Sequence, residues 1–109
     1  MTLVITTHRV PERSMTIAIE PHGGIRSENA QMLHDRVVAV LAATRPQRIV
    51  VDLSAVPSID EAGINALRAG QDAASAQGAR LVVAEADPRV RELLRRHGLT
   101  QVLDGAVAA

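Results

Sequence analysis

With 109 residues, no cysteine and no aromatic side chain, the chain is long enough for one domain with its own core, but it cannot form disulfides, thiolate nucleophiles or cysteine metal sites. Twelve acidic residues balance twelve basic ones, all of them arginine, so lysine chemistry is excluded and no basic excess marks a surface for direct nucleic-acid binding. Base stacking, cation cages and aromatic anchors are also excluded, which leaves aliphatic contacts, arginines and backbone groups for recognition.

The opening MTLVITTHRVPERS lacks a basic stretch followed by an apolar block, and no apolar run nears the ~20 residues of a membrane span. The expectation is a cytoplasmic protein without membrane insertion, a single domain over residues 1–109 whose tail frays from about residue 104.

In chain order, Leu3 to Val10 and the alternating Met15 to Glu20 read as two strands, joined by Pro11 to Ser14 and therefore paired antiparallel. Pro21, Gly23 and Gly24 mark a turn. From Ser27, the expected N-cap, apolar residues recur at helical spacing through Ala30, Leu33, Val37, Val38 and Leu41 until Arg45, Pro46 and Gln47 stop the helix.

The run from Arg48 to Ile64, RIVVDLSAVPSIDEAGI, organises the rest. Ile49, Val50, Val51 and Leu53 form the kind of β-branched run that fills a strand buried on both faces. Pro57 and Ser58 break it, and Asp60 stands as N-cap of a second helix, with Glu61 adding negative charge at the positive end of the helix dipole. Gly78 closes that helix, Leu81 to Ala84 form a further strand, and Asp87 with Pro88 open a short helix that ends at Gly98. Val102 onward is a candidate last strand. The fold class is therefore α/β: a mixed sheet in the order β β α β α β α, carrying amphipathic helices.

Enzyme chemistry finds little support. His8, His22, His34 and His97 have no metal-ligand spacing, so neither a metal nor a cofactor is expected. Gly23 and Gly24 belong to no phosphate-binding pattern, and no serine sits in a nucleophile elbow. Asp52 lacks the acidic pair and lysine of a phospho-accepting receiver and is expected to be held by neighbouring backbone N–H groups. Arg89, Arg91, Arg95 and Arg96 read either as a solvated helix face or as a contact for an acidic partner.

The segment IVVDLSAVPSIDEAGINAL resembles the heart of the STAS domain of anti-sigma factor antagonists, where a strand ending in D-L leads through a short loop to D-S-S-G or D-S-A-G. Upstream GGIRSENAQML is similar to the family's G-E-L-D stretch, and downstream GARLVVAEADPRVRELLRRHGL to its later strand and Pro-started helix, so the likeness runs from Met15 to Leu103.

The resemblance implies a non-enzymatic bacterial module that acts in transcription regulation. It would bind an anti-sigma factor of the serine-kinase type and so release a sigma factor. The partner-binding surface implied is the Gly24, Ile25, Arg26, Ser27 turn together with Ser58, Asp60, Glu61, Ala62, Gly63 and Ile64. In such antagonists the serine before the motif glycine is phosphorylated; here that position is Ala62, and Arg26 stands where the family often has aspartate. Two consequences stay open. Ala62 leaves the domain always competent to bind, or Glu61 imitates a phosphate; the first is favoured because Glu61 is one residue off and carries less charge. Ser58 and Ser54 remain as alternative acceptors. The other partner implied is the ATPase of a bacterial lipid-transport ABC system, which STAS subunits regulate without a phosphoacceptor, and a second copy of the chain is a further candidate.

Overall fold

The alternating stretches near the N-terminus form β1 (Val4–Arg9) and β2 (Thr16–His22) in the computed structural model, which describes residues 3–11 and 15–99. There follow α1 (Ala30–Thr44), β3 (Arg48–Asp52), α2 (Glu61–Ala76), β4 (Arg80–Ala84) and α3 (Pro88–Arg96). The strands lie in the order β1-β2-β3-β4, with β1 antiparallel to β2 and the other pairs parallel. This is the mixed sheet and element order that the periodicity predicts. The candidate strand from Val102 lies outside the described residues.

Strand alternation puts Ile17, Ile19, Ile49, Val51, Leu81 and Val83 on one face, where they join Leu33, Val37 and Leu41 of α1, Ile64 and Leu67 of α2, and Val90 and Leu94 of α3 in one core. Each such aliphatic side chain, fully buried, contributes about 1.5–3 kcal/mol. From β2 to β3 to β4 the chain steps in one direction across the sheet, so crossovers of one hand place α1 and α2 on the same side. β3 is consequently not buried on both faces as its apolar run suggests: Ile49 and Val51 are buried, but Val50, pointing away from these helices, is partly exposed.

Two further local expectations change. Pro21 belongs to β2, opposite Ile5, and the chain turns only at Gly23 (φ 123°). Pairing of β2 with β3 ends at Ile19, so the missing N–H of Pro21 removes no bond from that ladder. The residue at the α1 N-cap is Asn29, not Ser27. Ser27 is held in the preceding turn because its N–H bonds to Asp60 Oδ2, while the N–H groups of Asn29 and Ala30 both return to the Arg26 carbonyl at 3.0 and 2.7 Å.

The other helix ends follow their cues. Asp60 Oδ1 accepts from Gly63 N–H at 3.1 Å, and Asp87 Oδ1 from Arg89 N–H at 2.8 Å with Pro88 in the first turn. Gly98 takes φ 79°, which lets Leu99 N–H reach the Leu94 carbonyl at 2.8 Å and buries the Leu99 side chain. β1, an edge strand with largely exposed residues, is tied down from α1 by Arg36, whose Nη1 donates to the Ile5 carbonyl at 3.0 Å and to Thr7 Oγ1 at 2.9 Å. Such a donor on edge carbonyls also blunts pairing with a foreign strand.

Candidate partner-binding surface

At the carboxyl ends of β2 and β3 two loops continue the sheet beyond its strands. Gly23 N–H donates to the Ala55 carbonyl, Ile25 N–H to the Ser58 carbonyl and Asp60 N–H to the Ile25 carbonyl, each at 3.0 Å. Ile25 and Ile59 form a parallel bridge between the loops. Ser27 N–H then donates to Asp60 Oδ2 at 3.1 Å, so one carboxylate caps α2 and fastens the neighbouring loop.

Small residues make this closeness possible. A Cβ on Gly24 would stand 2.9 Å from Ser58 Oγ, and one on Gly63 would stand 2.5 Å from Ile59 Cγ1 and 2.8 Å from Ile25 Cγ2. Behind the Gly24 loop is Asn29, only 4% exposed, whose Oδ1 accepts from Arg26 N–H at 2.8 Å and whose Nδ2 donates to the Gly24 carbonyl at 3.1 Å. Sequence reasoning passes over Asn29. Its signal was an amide side chain three residues after Arg26 and directly before the apolar helical run, a pattern that favours a turn braced by Asn.

All ten residues of the expected surface thus come together, but not in one role. Arg26, Ser27, Asp60 and Glu61 are exposed, and Gly24, Ser58 and Ala62 are half-buried. Ile25, Gly63 and Ile64 are buried, so the two isoleucine side chains and the bare Cα of Gly63 shape the surface from the core. The reason is geometric: Ile25 and Gly63 lie where the two loops and the start of α2 close on each other.

Two recesses flank the loop pair. A groove of about 380 Å³ runs between the first turns of α1 and α2, lined by Ser27, Ala30, Gln31, His34, Ala62 and Asn65 among others. On the other side, about 230 Å³ opens between Gly24, Arg26, Glu28, Asn29, Pro57 and Ser58. A larger polar recess of about 520 Å³, at Leu41, Ala42, Arg45, Pro46 and Gln77, lies at the opposite ends of the helices and shares no residue with the loop pair. Among the described residues no cluster of three His, Asp or Glu side chains is placed to hold a metal, and Asp52 Oδ1 accepts from Ser54 N–H at 2.8 Å as an ordinary turn residue. On α3, Glu92 pairs with Arg95 at 3.3 Å and Arg96 at 3.6 Å, and all three are exposed. No described helix is long and apolar enough to cross a membrane.

The mixed sheet, its two linked loops and the capped helix that follows them define an α/β module. The family model described as "Mlab, STAS domain" matches residues 8–104, and the chain belongs to the STAS domain family. STAS domains are regulatory, non-catalytic modules. Among solved structures, the chain is similar to the unphosphorylated anti-sigma factor antagonist SpoIIAA, with a TM-score of 0.78 at 14% identity over 92% of this chain and 85% of that one. An anti-sigma factor antagonist from Mycobacterium paratuberculosis gives a TM-score of 0.72 at 26% identity, covering 92% of this chain and 83% of that one. A sulfate transporter family protein from Wolinella succinogenes gives 0.66 at 24% identity, covering 81% and 70%. No curated protein matches the sequence.

Proposed function

We propose that this chain is a non-enzymatic interaction module of the anti-sigma factor antagonist type. It binds a cytoplasmic anti-sigma factor of the serine-kinase type through the loop pair around Asp60 and thereby frees a sigma factor for transcription. The observation that carries this reading is the join of Ser27 to Asp60, which presents Arg26, Ser27, Glu61 and Ala62 together at the N-terminus of α2. Likeness to two antagonist structures supports it. Position 62, where the resemblance puts the family's phosphoacceptor, holds alanine, so the usual switch at that position is lost.

The reading is tested by calorimetry against the candidate anti-sigma factor loaded with ADP. Arg26→Asp and Glu61→Arg alter exposed charge without touching the core, and each is expected to weaken binding by about tenfold or more. Full affinity in both variants would place the interface elsewhere. A second reading, a regulatory subunit bound to the ATPase of a bacterial lipid-transport ABC system, is favoured by the missing hydroxyl at position 62, because that partner requires no phosphoacceptor. Tight binding to such an ATPase, with none to the anti-sigma factor, would select it.

A further inference from the structure

Charge is balanced in the sequence but not along the fold. The three parallel strands all begin at one end of the sheet, and there Arg48 and Arg80 open β3 and β4. Antiparallel β1 brings Arg9 to the same end, opposite Ile17, and α1 returns to it with Arg45. Arg9, Arg45 and Arg80 are exposed and Arg48 is half-buried, and none of the four side chains has an ion pair or hydrogen bond among the described residues. The described residues that form this end, 9–11, 15–16, 44–48 and 76–80, include no acid. Arg48 and Arg80 are also register partners on adjacent strands, on the face turned away from the helices. Like charges side by side cost stability, so this pair calls for an anion from outside the chain.

The opposite end is acidic. Glu20 lies near the end of β2, Asp52 ends β3, and Glu85 and Asp87 follow β4. The loop pair adds Glu28, Asp60 and Glu61, and only Arg26 and Arg89 stand against them among the described residues. Shape follows the same division. The loop pair extends beyond the strand ends, whereas the basic end holds the recess of about 520 Å³ at the carboxyl ends of α1 and α2, with Arg45 in its wall.

We propose that the basic end of one copy receives the acidic loop pair of a second copy, so that the chain associates head to tail with the loop pair seated at the recess beside Arg45. A second copy is the occupant that this pattern fits, because one chain carries both complementary surfaces and its formal charge of zero sets up no net repulsion between copies. The contact joins two different surfaces, so it is heterologous and is not exhausted by one pair of copies. Each exposed ion pair contributes little, so the association is weak and salt screens it. It covers Asp60 and Glu61. On the interaction reading above, it therefore withdraws the loop pair from the anti-sigma factor as the chain becomes concentrated.

The test is sedimentation velocity of the full chain at rising concentration, in low salt and in salt that shortens the screening length to about 3 Å. Wild type is expected to sediment faster with concentration in low salt only. Arg45→Glu with Arg80→Glu makes the basic end acidic, and Glu28→Arg with Glu61→Arg makes the loop pair basic, all four at exposed positions. Each double variant alone is expected to associate about tenfold or more weakly than wild type. Their equimolar mixture is expected to regain association, because the loop pair of the first and the basic end of the second are both intact. Wild type that stays monomeric in low salt overturns the inference, as does association that both variants keep, or a mixture that gains nothing over its parts. No partner protein takes part, so failure of the interaction reading leaves this result standing.

Discussion

The carboxylate of Asp60 joins Ser27, thirty-three residues earlier in the chain, to the first turn of α2: Oδ2 accepts the Ser27 N–H and Oδ1 the Gly63 N–H, both at 3.1 Å. The two bonds separate chemically. In Asp60→Asn an amide oxygen can still cap α2, since asparagine caps as well as aspartate, but the group left facing Ser27 is an N–H donor and cannot accept. Stability is therefore expected to fall by only about 1 kcal/mol, whereas Asp60→Ala, which loses both bonds, is expected to cost about 2 kcal/mol. Urea denaturation measures the totals. Hydrogen exchange at the Ser27 amide separates them, being faster than wild type in both variants while the Gly63 amide stays protected only in Asp60→Asn.

Gly63 lies against Ile59 and Ile25 and not against solvent. A bulky residue there would therefore act on the core first. Gly63→Ala is expected to destabilise by about 1–3 kcal/mol, because the added methyl must displace two buried isoleucines. Adding Ile59→Ala, which removes the Cγ1 and Cδ1 atoms that the new methyl would meet, should recover part of the loss. Denaturant midpoints of the single and double variants check this, and additive losses would show that the clash is not the cause.

Arg36 holds the edge strand β1 through the Ile5 carbonyl and Thr7 Oγ1. Arg36→Ala is expected to cost about 1 kcal/mol and to speed amide exchange across β1 with little effect on β3. It also exposes the edge to pairing with other chains, so sedimentation at rising concentration should show more self-association than wild type.

On α3 the ion pairs of Glu92 with Arg95 and Arg96 are exposed and belong to the weak class. Arg95→Ala is expected to change stability by less than about 0.5 kcal/mol. If reversal of charge at Arg91 and Arg95 leaves affinity for the anti-sigma factor unchanged, the arginine cluster is a solvated face and not a contact.

Much of this molecule is local and therefore legible in sequence. Helical spacing from Ala30 to Leu41, the caps at Asp60 and Asp87, and the β-branched runs at Ile49 and Leu81 each encode their own element, because hydrogen bonding within a turn and side-chain periodicity depend on neighbours a few residues away. Element order and short connections then restrict the sheet to a mixed one. The nearness of the Gly24–Ser27 turn to Asp60 was legible too, but only through likeness to a family.

What tertiary structure alone decided is how those parts meet. Ser27 looked like a helix cap until its N–H was claimed by Asp60 of the other loop, and Asn29 took the N-cap position and braced the turn. Pro21 looked like a turn residue until β2 extended past the end of its pairing with β3. Ile25, Gly63 and Ile64 looked like parts of a contact surface, but the closing of two loops over the sheet end turned them inward. Residue identity and short-range spacing specify which side chains can cap, pair or pack. Which groups compete for a given N–H, and which side of a loop faces water, depends on partners more than thirty residues away that only the folded chain brings within hydrogen-bond reach.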